Sequence, residues 1–143
     1  MNHQPYNEII TNLFIGDMFS TQLLFPSLAL VVNCTRHIPN TFSNTMRIPI
    51  DDSPEWNNEL FNIITTQAVL ENIHYYLTNN GKVLVHCHAG MQRSCAVVAC
   101  YLIKYYSMTP EQAINHIKSQ RNVAFHNHIT FMDCINRYYY SYH

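Results

Sequence analysis

At 143 residues the chain is about one domain long, and with 48% of its residues apolar or aromatic it can bury a real core rather than stay disordered. A net charge of −1 supplies no bulk field that would draw it to nucleic acid or to an anionic membrane. No apolar run approaches the ~20 residues of a membrane span, and Met1-Asn2-His3-Gln4-Pro5 lacks the basic and apolar regions of a signal peptide, so an intracellular protein with no membrane insertion is expected, cytoplasmic with the nucleus as the alternative.

In chain order, Glu8-Ile9-Ile10 and Leu13-Phe14-Ile15-Gly16 read as two short strands joined at Thr11-Asn12. Asp17 to Phe25 suits a helix stopped by Pro26. The apolar run from Leu28 through β-branched Val31 and Val32 to Cys34 predicts a buried parallel strand. After a polar loop, Thr35 to Thr45, the alternation of Met46-Arg47-Ile48-Pro49-Ile50 predicts a strand near the sheet edge, where proline is tolerated. Asp51 to Trp56 is a turn or loop. Leu60, Ile63, Ile64, Leu70, Ile73 and Leu77 then recur at three- and four-residue spacing, predicting one long helix ended by Asn79-Asn80-Gly81.

Next comes an apolar strand, Val83 to Cys87, a tight polar loop, and a long apolar helix from about Ser94. Thr109-Pro110-Glu111-Gln112 matches a capping box with proline at the first helical position, and a final helix is expected from about Asn127 to Tyr138. Strands alternating with helices, then helices alone, predict an α/β fold: a central, mostly parallel sheet flanked by helices, with the C-terminal helices on one face. No linker or repeat interrupts the chain, so 1–143 is expected to form a single domain.

The five cysteines, Cys34, Cys87, Cys95, Cys100 and Cys134, are odd in number and show no C-x-x-C spacing, which argues against a disulfide framework or a zinc site. The histidines are scattered, with no H-E-x-x-H pattern, and no metal is expected.

The chemistry concentrates at the strand–loop–helix junction. A helix N-terminus presents free amides and the positive end of its dipole, a ready-made anion site. Here the loop opens with Cys87 and closes with Arg93. The helix amides, Arg93 and His86 are placed to stabilise a thiolate on Cys87, which turns a weak nucleophile into a strong one. His88, Ala89, Gly90, Met91 and Gln92 can curl so that successive backbone amides face inward, with Gly90 supplying the backbone freedom. Arg93 offers a planar fork matched to two phosphate oxygens. A buried structural cysteine at a strand end is the competing reading. It does not explain why an arginine opens a buried helix.

His86-Cys87-x-x-Gly90-x-x-Arg93-Ser94 resembles the signature of the cysteine-dependent protein tyrosine phosphatases. Asn12-Leu13-Phe14-Ile15-Gly16, Ile48-Pro49-Ile50-Asp51-Asp52-Ser53 and the segment from Arg121 through Asn127 to Phe131 look like the dual-specificity branch, so the resemblance covers essentially the whole chain. It implies hydrolysis of phosphotyrosine and phosphoserine or phosphothreonine in proteins through a phosphocysteine intermediate, in a shallow cleft, without metal or organic cofactor. Cys87 is then the nucleophile, the amides of His88 to Arg93 and the Arg93 guanidinium hold the phosphoryl oxygens, and Ser94 assists departure of the thiolate. The resemblance makes Asp52, the second of the two aspartates, the general acid, leaving Asp51 as a solvated carboxylate or helix cap. In some related phosphatases a cysteine near Cys34 forms a reversible disulfide with the nucleophile; an ordinary core cysteine is the equal alternative. Asn127 is a candidate tether for the loop after the helices, and Arg36 and His37 are either contacts for a second acidic group or solvated charges.

An RNA 5′-phosphatase or phosphoinositide phosphatase is the alternative enzyme. Those more acidic substrates call for extra lysines or arginines in the loop, and His88, Met91 and Gln92 supply no fixed positive charge. A non-catalytic phosphate-binding module ranks last, because Cys87, Arg93 and Asp52 are all present. A phosphorylated protein is therefore the expected partner, and no nucleic acid is.

Overall fold

The structure, a computed structural model, describes residues 4–24 and 26–142; Met1 to His3, His143 and Phe25, the expected end of the first helix, lie outside them. The first hairpin pairs β1 (Tyr6–Ile10) antiparallel with β2 (Leu13–Gly16). Asn12 turns it with a left-handed backbone (φ 70°), a conformation asparagine tolerates, and its amide donates to the Glu8 carboxylate at 2.8 Å. After a short α1 (Ser20–Leu24), β3 (Leu28–Asn33) runs through the sheet interior and β4 (Thr45–Arg47) forms its edge. With β5 (Lys82–His86) the order is β1-β2-β5-β3-β4, parallel except for the β1–β2 hairpin.

The central strands are apolar on both faces because both faces are covered. Leu13, Ile15, Leu30, Val32, Val83 and Val85 join the main core, while Phe14, Leu28, Val31 and Leu84 point the other way and meet Leu24 of α1. The main core is closed by α2 (Asn57–Thr66), α3 (Val69–Thr78), α4 (Arg93–Tyr106), α5 (Pro110–Gln120) and α6 (Met132–Tyr142). Every residue of α4 from Ser94 to Ile103 is buried, so this helix is the axle of the domain. The predicted capping box opens α5: the Gln112 amide donates to Thr109 Oγ1 at 3.2 Å and the Thr109 amide to Gln112 Oε1 at 3.0 Å.

Three expectations are corrected. The single helix before Gly81 is two helices, broken at Ala68, whose backbone is left-handed (φ 55°). The apolar register explains the break. Ile64 and Leu70 are six residues apart, off the helical period, and a change of direction lets both segments bury their apolar faces. The strand expected over Met46–Ile50 ends at Arg47; beyond it the Ile50 amide bonds the Ile48 carbonyl at 2.9 Å in a tight turn, with both isoleucines fully buried. The last helix starts at Met132 rather than Asn127, because Asn127 is left-handed (φ 66°) and the Thr130 amide is taken by the side chain of Gln92. That helix carries the tyrosine run, with Tyr138 buried and stacked on Tyr142 while Tyr140 points to solvent.

Candidate active site

The junction read from the sequence lies at the C-terminal end of β5. Cys87 follows the strand, Arg93 begins α4, and the intervening loop curls around the cysteine sulfur. The Gly90 amide donates to Cys87 Sγ at 3.3 Å, and the Ser94 hydroxyl lies 3.2 Å from the same sulfur. Gly90 is left-handed (φ 67°), and a Cβ there would sit 2.7 Å from Arg121 Nη2 and 2.8 Å from the Gly16 carbonyl oxygen. Glycine is thus required twice over, by conformation and by space. Cys87, His88, Ala89, Met91, Gln92 and Arg93 line a cavity of about 200 Å³ with Asp52 and His128 on its walls.

The two neighbouring aspartates have different surroundings. Asp51 is paired with Arg36 at 2.8 Å, and Arg36 in turn lies over the Trp56 ring, 5.5 Å from its centroid. Asp52 is exposed and faces the cavity that contains Cys87. Arg93 reaches back to the same loop, donating from Nη1 to the Ile50 carbonyl at 3.1 Å. Arg36 and His37 line a second depression of about 160 Å³, together with Thr35, Ile38, His88 and Arg93. The polar loop after β3 therefore adjoins the 87–93 loop.

His86 plays another part than the one expected of a cation. It is buried, burial holds its pKa below the ordinary imidazole value, and the hydrogen bond of Nδ1 with the Cys87 carbonyl (3.4 Å) opposes that shift. It is a neutral group against the Cys87 backbone. Cys34 stands beside Cys87: its amide donates to the His86 carbonyl at 2.8 Å, and Asn33 is paired with His86 on adjacent parallel strands. Both thiols are buried in the same core. Burial, reinforced by the neighbouring Cys87, pushes the Cys34 thiol well above its ordinary pKa, and Cys95 behaves likewise beneath the loop, where its Sγ approaches the Gly90 carbonyl at 3.5 Å.

Asn127 is not the tether. It is exposed, and the connection between the 87–93 loop and the segment after α5 is carried by Gln92. Gln92 is buried; its Nε2 donates to the His128 carbonyl at 2.8 Å and its Oε1 accepts from the Thr130 amide at 3.1 Å. The Phe125 amide adds a bond to the Met91 carbonyl at 2.8 Å. Nothing local in the sequence signals that a loop glutamine will be buried. Arg121 is fully buried beneath the loop, and in the sequence it stands out only as the start of the segment that resembles the dual-specificity branch. An arginine just after a helix ordinarily reads as a solvated charge.

A cysteine sulfur cradled by a backbone amide at the N-terminus of a buried helix, with an arginine and a carboxylate on the same cavity, defines the class of cysteine-dependent phosphatases. Residues 19–141 match the family model described as the dual specificity phosphatase catalytic domain. The 123R protein of Invertebrate iridescent virus 6, named as a tyrosine phosphatase, is 31% identical over 122 residues, covering 84% of this chain and 82% of that protein. Human dual specificity protein phosphatase 18 is 30% identical over 124 residues, covering 82% of this chain and 64% of its own length. The crystal structure of human DUSP28 superposes with a TM-score of 0.81 at 26% identity, covering 96% of this chain and 95% of that one. The chain belongs to the dual-specificity protein phosphatases of the protein tyrosine phosphatase superfamily. Its mixed α/β domain with a five-stranded, mostly parallel sheet is the fold of those structures. Among the described residues, no helix is long and apolar enough to cross a membrane.

Proposed function

We propose that this chain removes phosphate from phosphotyrosine and from phosphoserine or phosphothreonine in proteins, through a phosphocysteine intermediate at Cys87. The observation that carries the reading is the shared cavity of Cys87, Arg93 and Asp52, with the Gly90 amide and the Ser94 hydroxyl already on the sulfur. The substrate's phosphoryl group lies over the loop, its oxygens held by the loop amides and the Arg93 fork, which leaves Ile50 to take them up. The Cys87 thiolate attacks phosphorus in line; the S–P bond forms as the P–O bond breaks, and the Asp52 carboxylic acid gives its proton to the departing oxygen. In the second half the Asp52 carboxylate takes a proton from water, the water oxygen attacks phosphorus, and the S–P bond breaks. The Ser94 hydroxyl donates to the sulfur as its charge returns.

Charge supports protein over polyanionic substrates: the loop between Cys87 and Arg93 has no lysine or arginine, so one guanidinium and backbone amides make up the grip. The test is turnover of para-nitrophenyl phosphate and of phosphotyrosine and phosphothreonine peptides by the native protein and by Cys87→Ser. Turnover lost in Cys87→Ser, without added metal, is expected. Activity that survives the substitution refutes the mechanism. Faster hydrolysis of phosphoinositide or RNA 5′-phosphate than of any phosphopeptide refutes the substrate class.

A further inference from the structure

Arg121 is the largest fully buried side chain among the described residues. Among those residues its guanidinium makes four hydrogen bonds, all to neutral oxygens: Nε to the Gly90 carbonyl at 2.8 Å, Nη2 to the Ala89 carbonyl at 3.1 Å, and Nη1 to the Gln4 carbonyl and to Asn7 Oδ1, both at 2.8 Å. Among the described residues it forms no ion pair. Burying a cation without a carboxylate is expensive, several kcal/mol per ion even after relaxation, and an apolar side chain of similar volume would fill the space at less cost. The architecture alone does not call for a charge here.

The bonds it makes indicate what the charge serves. The peptide unit between Ala89 and Gly90 is planar and trans, so its C=O and N–H point in opposite directions. Its carbonyl is held by Arg121, and its amide donates to Cys87 Sγ at 3.3 Å. The next carbonyl, that of Gly90, is held by Nε, which turns the Met91 amide the same way, toward the anion site. Hydrogen bonds in series polarise one another, so a cation behind two carbonyls strengthens the two amides in front. Gly90 has no side chain to hold the guanidinium off, and a Cβ would overlap it. Burial lowers the Arg121 pKa, and the charges of Cys95, Asp17 and Cys87 act against that shift, so the cation and the nucleophile feel one another.

We propose that Arg121 is a positioning residue whose charge, touched by no carboxylate among the described residues, acts through the Ala89 and Gly90 peptides to tighten the loop's hold on a phosphoryl dianion. The proposal rests on the reading that the 87–93 loop binds phosphate, which inhibition of the native protein by inorganic phosphate establishes first; no inhibition at all would fail that reading rather than this one.

The discriminating variant is Asn7→Asp, which keeps an oxygen on Nη1 and adds a carboxylate beside the cation. The inhibition constant for inorganic phosphate is expected to rise tenfold or more, with a thermal midpoint unchanged or higher. Asn7→Ala removes the bond without adding charge; it should lower the midpoint yet weaken phosphate less than Asn7→Asp does. A purely structural arginine predicts the reverse, since an added ion pair would leave binding intact. Native-like phosphate inhibition of Asn7→Asp, or equal weakening in both Asn7 variants, overturns the proposal. Should Asn7→Asp fail to fold, Arg121→Lys and Arg121→Met decide: the charge-retaining lysine variant must bind phosphate at least tenfold more tightly than the methionine variant, and equal binding overturns it.

Discussion

The division of labour between Asp51 and Asp52 is open to a quantitative test. Asp52 faces the cavity that holds Cys87, whereas Asp51 is paired with Arg36 across 2.8 Å, with both side chains more than 40% exposed. Proton donation by a positioned acid is typically worth 10²–10⁴-fold, or about 3–5.5 kcal/mol of barrier. An ion pair as exposed as Arg36–Asp51 is worth roughly 0–1 kcal/mol, and Arg36 keeps its Trp56 contact when the carboxylate is gone. Asp52→Ala should therefore lower kcat on phenyl phosphate by about 10²–10⁴-fold. Asp51→Ala should change kcat by less than about fivefold, and the thermal midpoint by no more than roughly 4 °C. The assay is steady-state kcat across aryl phosphates of graded leaving-group acidity. The Asp52→Ala deficit should shrink as the phenol becomes more acidic, because a good leaving group needs no proton. A deficit that is flat across the series, or larger for Asp51→Ala, refutes the assignment.

Gly90→Ala forces alanine into a left-handed backbone and drives a methyl group against Arg121 and Gly16, at a combined cost of about 2–5 kcal/mol; a thermal midpoint within 2 °C of the native value, on the scale of roughly 2–4 °C per kcal/mol, would contradict the geometry. Ser94→Ala removes the hydroxyl 3.2 Å from Cys87 Sγ, and since hydrogen bonds to charged groups are worth about 1.5–3 kcal/mol, rapid-quench experiments should show a burst of phenol followed by turnover slowed roughly 10–150-fold. Cys34 and Cys87 directly follow Asn33 and His86, which are in register on adjacent parallel strands where neighbours lie about 4.8 Å apart, within the Cα range a disulfide spans, so mild peroxide should oxidise Cys87 to the sulfenic acid and the Cys34 thiol should then form a Cys34–Cys87 bond with loss of water. Peptide mapping checks it, and over-oxidation of Cys87 at equal rates in native protein and Cys34→Ser would sink the idea. For buried, neutral His86 the folded pKa lies below the unfolded one, so its share of stability is present above about pH 6.5 and is lost as pH falls toward the folded value; denaturant midpoints between pH 7 and 5 should fall less steeply in His86→Gln.

The parts of the site legible in the sequence are those whose cause is local. Cys87, Gly90, Arg93 and Ser94 sit within one strand–loop–helix junction, and the polarity pattern that makes the junction also makes the anion site. The Thr109–Gln112 box was legible for the same reason: both of its hydrogen bonds close within four residues. What stayed hidden depends on contacts distant in the chain. The left-handed Ala68 has no composition cue, because only the separate burial of α2 and α3 requires it. The start of α6 is displaced by a glutamine side chain 38 residues earlier, and Arg121 acquires its meaning from carbonyls more than 30 residues away. The choice of Asp52 came from family resemblance; the structure adds the physical distinction, the Arg36 pair that occupies Asp51.

The grip of the 121–130 segment on the phosphate loop also sets an order of events during synthesis. When residues 82–106 have left the ribosome, the chain already owns Cys87, Arg93 and the helix that follows them. It does not yet own the Arg121 bonds to Ala89 and Gly90, the Phe125 bond to Met91, or the Gln92 bonds to His128 and Thr130. Until those arrive, the loop lacks the bonds that brace it from the segment after α5. The bracing of the site is therefore a late event in the life of the chain, complete only once residues 121–130 have emerged.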